Sequence, residues 1–61
     1  MSKPLSFSQP LYKIQELVTT GWEDINEDWN INLTKEQCDF HLQECIDGGI
    51  STDRLKVVRV A

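Results

Sequence analysis

An α+β fold in the order β-β-α-β is what this 61-residue sequence predicts. Three observations carry that prediction. A helix start and a helix stop are both spelled out between Leu33 and Gly49. A run rich in β-branched residues, Leu55-Lys56-Val57-Val58-Arg59-Val60, follows the stop. Ahead of the helix, residues 11–18 place Tyr12, Ile14 and Val18 on one face at a period of two, with Glu16 interrupting the stripe. The expected architecture is a small two- or three-stranded, mostly antiparallel sheet with one amphipathic helix packed on it.

Residues 1–10 read as an N-terminal arm, punctuated by Ser2, Pro4, Ser6, Ser8 and Pro10, with Leu5 and Phe7 as its sizeable apolar groups besides Met1. A single domain follows over 11–61. Its first element has two readings. At a period of 3.6, Leu11, Ile14 and Val18 also align, and Ser8 with Pro10 could open a helix, giving the alternative order α-α-β. Thr19-Thr20 and the Val, Ile and Tyr content favour extended chain, so strand is the reading adopted. Gly21 permits a turn, and Trp22-Glu23-Asp24-Ile25 makes a short second strand. Asn26 to Asn32 is expected to loop over the sheet edge, anchored by Trp29 and Ile31.

The helix spans Lys35 to Asp47. Thr34 can accept from the Gln37 amide while the Gln37 side chain reaches back to the Thr34 amide, a capping box, with Leu33 and Cys38 at the positions of a hydrophobic staple. At 100° per residue Cys38, Leu42, Cys45 and Ile46 share an apolar face with His41 on its edge. Gly48 is the expected left-handed residue after the helix, since it has no Cβ to clash. The last strand carries Val58 and Val60 on one side and Leu55 and Val57 on the other. The expected core is Tyr12, Ile14, Val18, Trp22, Ile25, Cys38, Leu42, Cys45, Ile46, Leu55, Val58 and Val60.

Size and charge limit the function classes. A chain this short buries only about 60% of its unfolded surface, so a second copy is a natural source of extra burial. No apolar run approaches the ~20 residues of a membrane span, and the start lacks a signal-peptide apolar region, so a cytoplasmic protein with reduced thiols is expected. The formal net charge is −4, unevenly spread. All ten acids lie between Glu16 and Asp53, where Lys35 is the single base, while Lys3, Lys13, Arg54, Lys56 and Arg59 sit outside that stretch. The middle therefore carries −9 and the ends +5, which sum to −4. Such a field repels phosphate and disfavours direct nucleic-acid binding.

No catalytic motif stands out, and neither a glycine-rich phosphate loop nor a nucleophile elbow is present. Cys38, His41 and Cys45 fall on one side of the helix with types suited to zinc, but no fourth Cys or His exists, and core packing is the plainer reading. A Cys38–Cys45 disulfide is incompatible with the helix: seven residues at about 1.5 Å rise separate the α-carbons by about 10 Å, against a limit of about 7 Å. Asp24, Asn26, Asp28 and Asn30 match the early positions of a calcium loop, but the position needing glycine is Trp29 and that needing a bidentate glutamate is Lys35. No cofactor or metal ligand is therefore assigned.

The interface candidates are clearer. Phe40 falls almost opposite the apolar helix face, between Glu36 and Glu44, and can anchor a contact with another chain. Trp22 and Trp29 flank the acids Glu23, Asp24, Glu27 and Asp28, and Phe7 could dock on the sheet or on a neighbour. The strings Tyr12-Lys13-Ile14-Gln15-Glu16-Leu17, Thr20-Gly21-Trp22-Glu23, Leu33-Thr34-Lys35-Glu36-Gln37-Cys38 and Arg54-Leu55-Lys56-Val57-Val58 together resemble small uncharacterised proteins of marine cyanobacteria and their phages, over roughly residues 11–60. The resemblance implies an accessory protein acting in a bacterial cytoplasm, the host's if phage-encoded, and implies no activity or site.

The function expected is a noncatalytic protein-binding module that self-associates or serves a larger complex. The alternatives are a small acidic inhibitor or nucleic-acid mimic occupying a basic site on a host protein, and a Cys/His metal-binding module.

Overall fold

The computed structural model describes residues 9–61; the arm residues Leu5 and Phe7 lie outside them. The chain runs β1 (Tyr12–Val18), β2 (Gly21–Asp24), α1 (Lys35–Asp47), a short 3-10 turn (Thr52–Arg54) and β3 (Leu55–Arg59). This is the expected β-β-α-β order, with a three-stranded antiparallel sheet in the spatial order β2-β1-β3. Residues 12–18 are strand because β1 is the central member, paired on both sides: Ile14 stands opposite Val57, and Leu17 opposite Trp22.

The β1–β2 turn is made by Thr19 and Thr20, since Val18 pairs with Gly21. Thr19 and Thr20 keep negative φ, and the positive φ of this hairpin falls on the first residue of β2. That residue is Gly21, at +122°, a conformation side chains rarely adopt.

β2 ends at Asp24, yet the flank of β1 stays covered. Ile25 N–H donates to Ile14 O at 3.1 Å. The Asn30 carboxamide then takes the place of the return bond: its Oδ1 accepts from Ile14 N–H at 2.8 Å, and its Nδ2 donates to Ile14 O at 2.8 Å and Ile25 O at 3.0 Å. Tyr12 and Leu33 exchange two backbone bonds one step further along. Asn30 is accordingly the one buried polar residue among those described. It satisfies groups whose burial without partners would cost about 1–3 kcal/mol apiece.

Leu33 leads directly into α1. The capping box is present, with Gln37 N–H donating to Thr34 Oγ1 at 3.2 Å and Thr34 N–H to Gln37 Oε1 at 3.0 Å. The helix ends at Asp47 as expected, but the left-handed residue is Gly49 and not Gly48. Gly48 keeps helical angles as the cap, and Gly49 takes φ of +105°. Gly49 N–H donates to Ile46 O and Ile50 N–H to Cys45 O, the bond pair of a Schellman motif.

The helix lies on one face of the sheet only. The buried core is Ile14, Leu33, Cys38 and Leu55, with Tyr12, Ile25, Trp29, Leu42, Cys45, Ile46 and Ile50 packed against it. Three expected core residues are corrected: Trp22 and Val60 are exposed, at 38% and 42%, and Val58, opposite Lys13, lies half-buried on the same uncovered face. Strand parity explains all three, because Trp22 pairs with Leu17 and Val60 meets Leu11, which likewise places them on the face away from Ile14. Ile31 is no anchor either; it is exposed, and Trp29 packing on the core together with the buried Asn30 holds the loop in place.

Candidate protein-interaction surfaces

The interface candidates separate into two surfaces. On the helix side, Phe40 is 60% exposed, with the exposed Glu36 and Glu44 one turn before and after it. Phe40 meets His41 edge-on, centroids 5.2 Å apart, and His41 stacks flat on Trp29 at 4.0 Å. Phe40, His41 and Trp29 thus form a continuous aromatic tier from solvent to core, with glutamates at its rim. The His41 Nδ1 lies 3.3 Å from Glu44 Oε1 and has no hydrogen-bond partner.

The second surface is the sheet face that α1 leaves uncovered. Alternation along the strands sends Leu11, Lys13, Gln15 and Leu17 of the central segment to this face, with Trp22 and Asp24 on one flank and Lys56, Val58 and Val60 on the other. Leu17, Trp22 and Val60 are its exposed large apolar groups. Its polar groups are tied to one another. Asp24 accepts from Lys13 at 3.0 Å and from Gln15 at 2.8 Å, and these two bonds, Gln15's first, hold its carboxyl below the usual range. The Lys56 ammonium sits 4.7 Å from the Trp22 ring centroid, a cation–π contact. An apolar patch whose neighbouring charges are already paired is cheaper to desolvate than one ringed by free ions.

Trp22 and Trp29 therefore do not build a shared aromatic–acidic patch: one belongs to the uncovered face and the other to the core side. Phe7 lies outside the described residues. What sequence reasoning missed is the composition of the uncovered face. The signal was present in the pairing of Lys13, Gln15 and Leu17 as the second stripe of the same strand.

Of the chemistry candidates, Cys38 belongs to the core and Cys45 packs against it. Cys38 is buried and Cys45 half-buried, neither in a disulfide, and burial pushes both thiols up, away from the reactive thiolate. Among the described residues no three His, Cys, Asp or Glu side chains converge on a metal position. Two of the calcium-like positions have other employment, Asp24 in its clamp with Lys13 and Gln15 and Asn30 against the β1 backbone. Comparison with protein-family models, curated proteins and solved structures finds no match.

Proposed function

We propose that this chain is a noncatalytic protein-binding accessory module that self-associates. The observation that carries the proposal is the uncovered sheet face, where Leu17, Trp22 and Val60 are exposed around a clamp of paired charges. The described residues have one helix to cover one face, and a second copy or a partner supplies the other cover. Face-to-face packing of two such sheets is the standard way two half-apolar sheets become a core. The aromatic tier ending in Phe40 is a further anchor on the opposite side, suited to a partner other than the chain itself. On the resemblance drawn from the sequence, the setting would be a bacterial cytoplasm, during phage infection if the chain is phage-encoded.

A second reading, an acidic decoy for a basic site, draws on the outer helix face, where Glu36, Asp39, Glu44 and Asp47 are all exposed. Affinity capture at rising salt separates the two. Capture carried by the aromatic and apolar surfaces persists at 0.5 M salt, where the screening length is down to a few ångströms, and falls with Trp22→Ser or Phe40→Ala. Capture that vanishes with salt and ignores both substitutions belongs to the decoy.

A further inference from the structure

We propose that the outer edge of β3 is a docking strand for an extended acidic segment of a partner protein, which adds as a fourth strand and seats an apolar side chain between β3 and α1. This rests on the protein-binding reading and gives it one surface and one partner chemistry.

The first support is the direction of the backbone groups. Ile14 spends its N–H and C=O on Asn30 and Ile25, and Tyr12 spends its own on Leu33, so both turn toward the β2 flank. Their partners across the ladder, Val57 and Arg59, are then the non-hydrogen-bonded members of the β1–β3 pairing. Their N–H and C=O groups point outward, as a strand-addition site requires.

The second support is a cleft in the right place. Leu42 and Ile46 of α1, Thr52, and Leu55, Lys56 and Val57 of β3 line a cavity of about 140 Å³. Val57 shares the covered face with Ile14, yet it is 41% exposed while Ile14 is fully buried. A residue of an added strand opposite Val57 would point to that same face, beside the cleft. Edge hydrogen bonds with a pocket for alternate side chains are the two components of recognition by β-addition.

The third is charge. From Arg54 to Ala61 the chain has three cations and no acidic side chain; Arg59 shares the covered face with Val57, while Lys56 lies over Trp22 and Arg54 donates to Leu17 O. Asp53, just before, is engaged with Ser51. The opposite edge carries Glu23 and Asp24, so an acidic segment is drawn to β3 and repelled from β2. A basic edge also opposes a second copy of itself, because β3 against β3 brings like charges together.

The test is an NMR titration of the whole chain with a blocked synthetic peptide in which glutamate alternates with valine and leucine, and with a control peptide carrying lysine for glutamate. The expected result is joint movement of the Val57 and Arg59 amides and the Leu42 and Ile46 methyls with the acidic peptide only. Val57→Pro removes an outward N–H that the β1 ladder does not use, so it keeps the fold and weakens binding about tenfold or more. Arg59→Glu, which leaves the backbone intact, shifts the preference toward the lysine peptide.

No movement at saturating peptide, equal binding by Val57→Pro, or movement confined to Leu17 and Trp22 overturns the proposal. A peptide-free dimer that Val57→Pro dissolves also overturns it and gives the edge to a second copy. If the peptide fails while Trp22-dependent self-association persists, this inference falls alone; if both fail, the protein-binding reading falls with it.

Discussion

Ile14 and Leu17 stand three residues apart on β1 and meet opposite environments. Ile14 is sealed beneath α1, with Val57 opposite it on β3 and its backbone N–H and C=O bonded to Asn30 and Ile25 on the other flank. Leu17, pointing the other way, is 36% exposed beside Trp22. The difference shows how a short chain divides its apolar residues: one face is completed internally and supplies stability, while the other keeps apolar groups exposed among the described residues.

The largest expected effect sharpens that contrast. Ile14→Ala is expected to cost about 2–5 kcal/mol, and Leu17→Ala less than about 1, read by chemical denaturation. A domain of this length has a total of about 3–9 kcal/mol, so the first variant is marginal or unfolded. Equal losses at the two sites would erase the distinction between the faces.

Asn30→Ala comes next, at about 1–3 kcal/mol, because it leaves the buried Ile14 N–H without a partner, while Ile25 O keeps its bond from Glu27 N–H. Asn30→Asp does not restore stability, since a carboxylate cannot donate to Ile25 O. If Asn30→Asp melts with the wild type, the carboxamide is not what closes the covered face. Thr34→Ala removes one half of the capping box and is expected to cost about 1 kcal/mol, an effect belonging to α1 and hence to the covered side.

The smallest effect lies on the uncovered face and depends on pH. Asp24 is held below the ordinary carboxyl value by Gln15 and Lys13. Its contribution is fully present above the unfolded value of about 3.9 and is lost as pH falls through the lower folded value. Asp24→Asn should flatten the acid limb of the stability curve by lowering neutral-pH stability slightly and leaving the acid end unchanged. A variant curve that steepens on the acid side would show the clamp to be assigned the wrong sign.

The two faces also differ in how far they could be read from residues alone. The helix was legible because Thr34, Gln37 and the Gly48-Gly49 pair act locally, through bonds spanning a few positions. Its exit was misplaced by one residue because either glycine can take positive φ, and only the Ile50–Cys45 bond decides for Gly49. The central strand was legible from Tyr12, Ile14 and Val18. Asn30 was not, since its role depends on Ile14 sixteen positions away, and a lone asparagine in a polar loop has no local signature. Trp22 and Val60 were placed in the core because hydrophobicity says that a side chain prefers cover but not whether this chain has any to give. Only strand parity relative to α1 answers that.

Sedimentation velocity of the wild type and Trp22→Ser across a hundredfold concentration range tests the central claim most directly. The uncovered face predicts that the wild type gains mass with concentration, and that Trp22→Ser stays monomeric with an unchanged far-ultraviolet spectrum. A wild type that remains monomeric at the highest concentration, or a variant that associates as the wild type does, would contradict it.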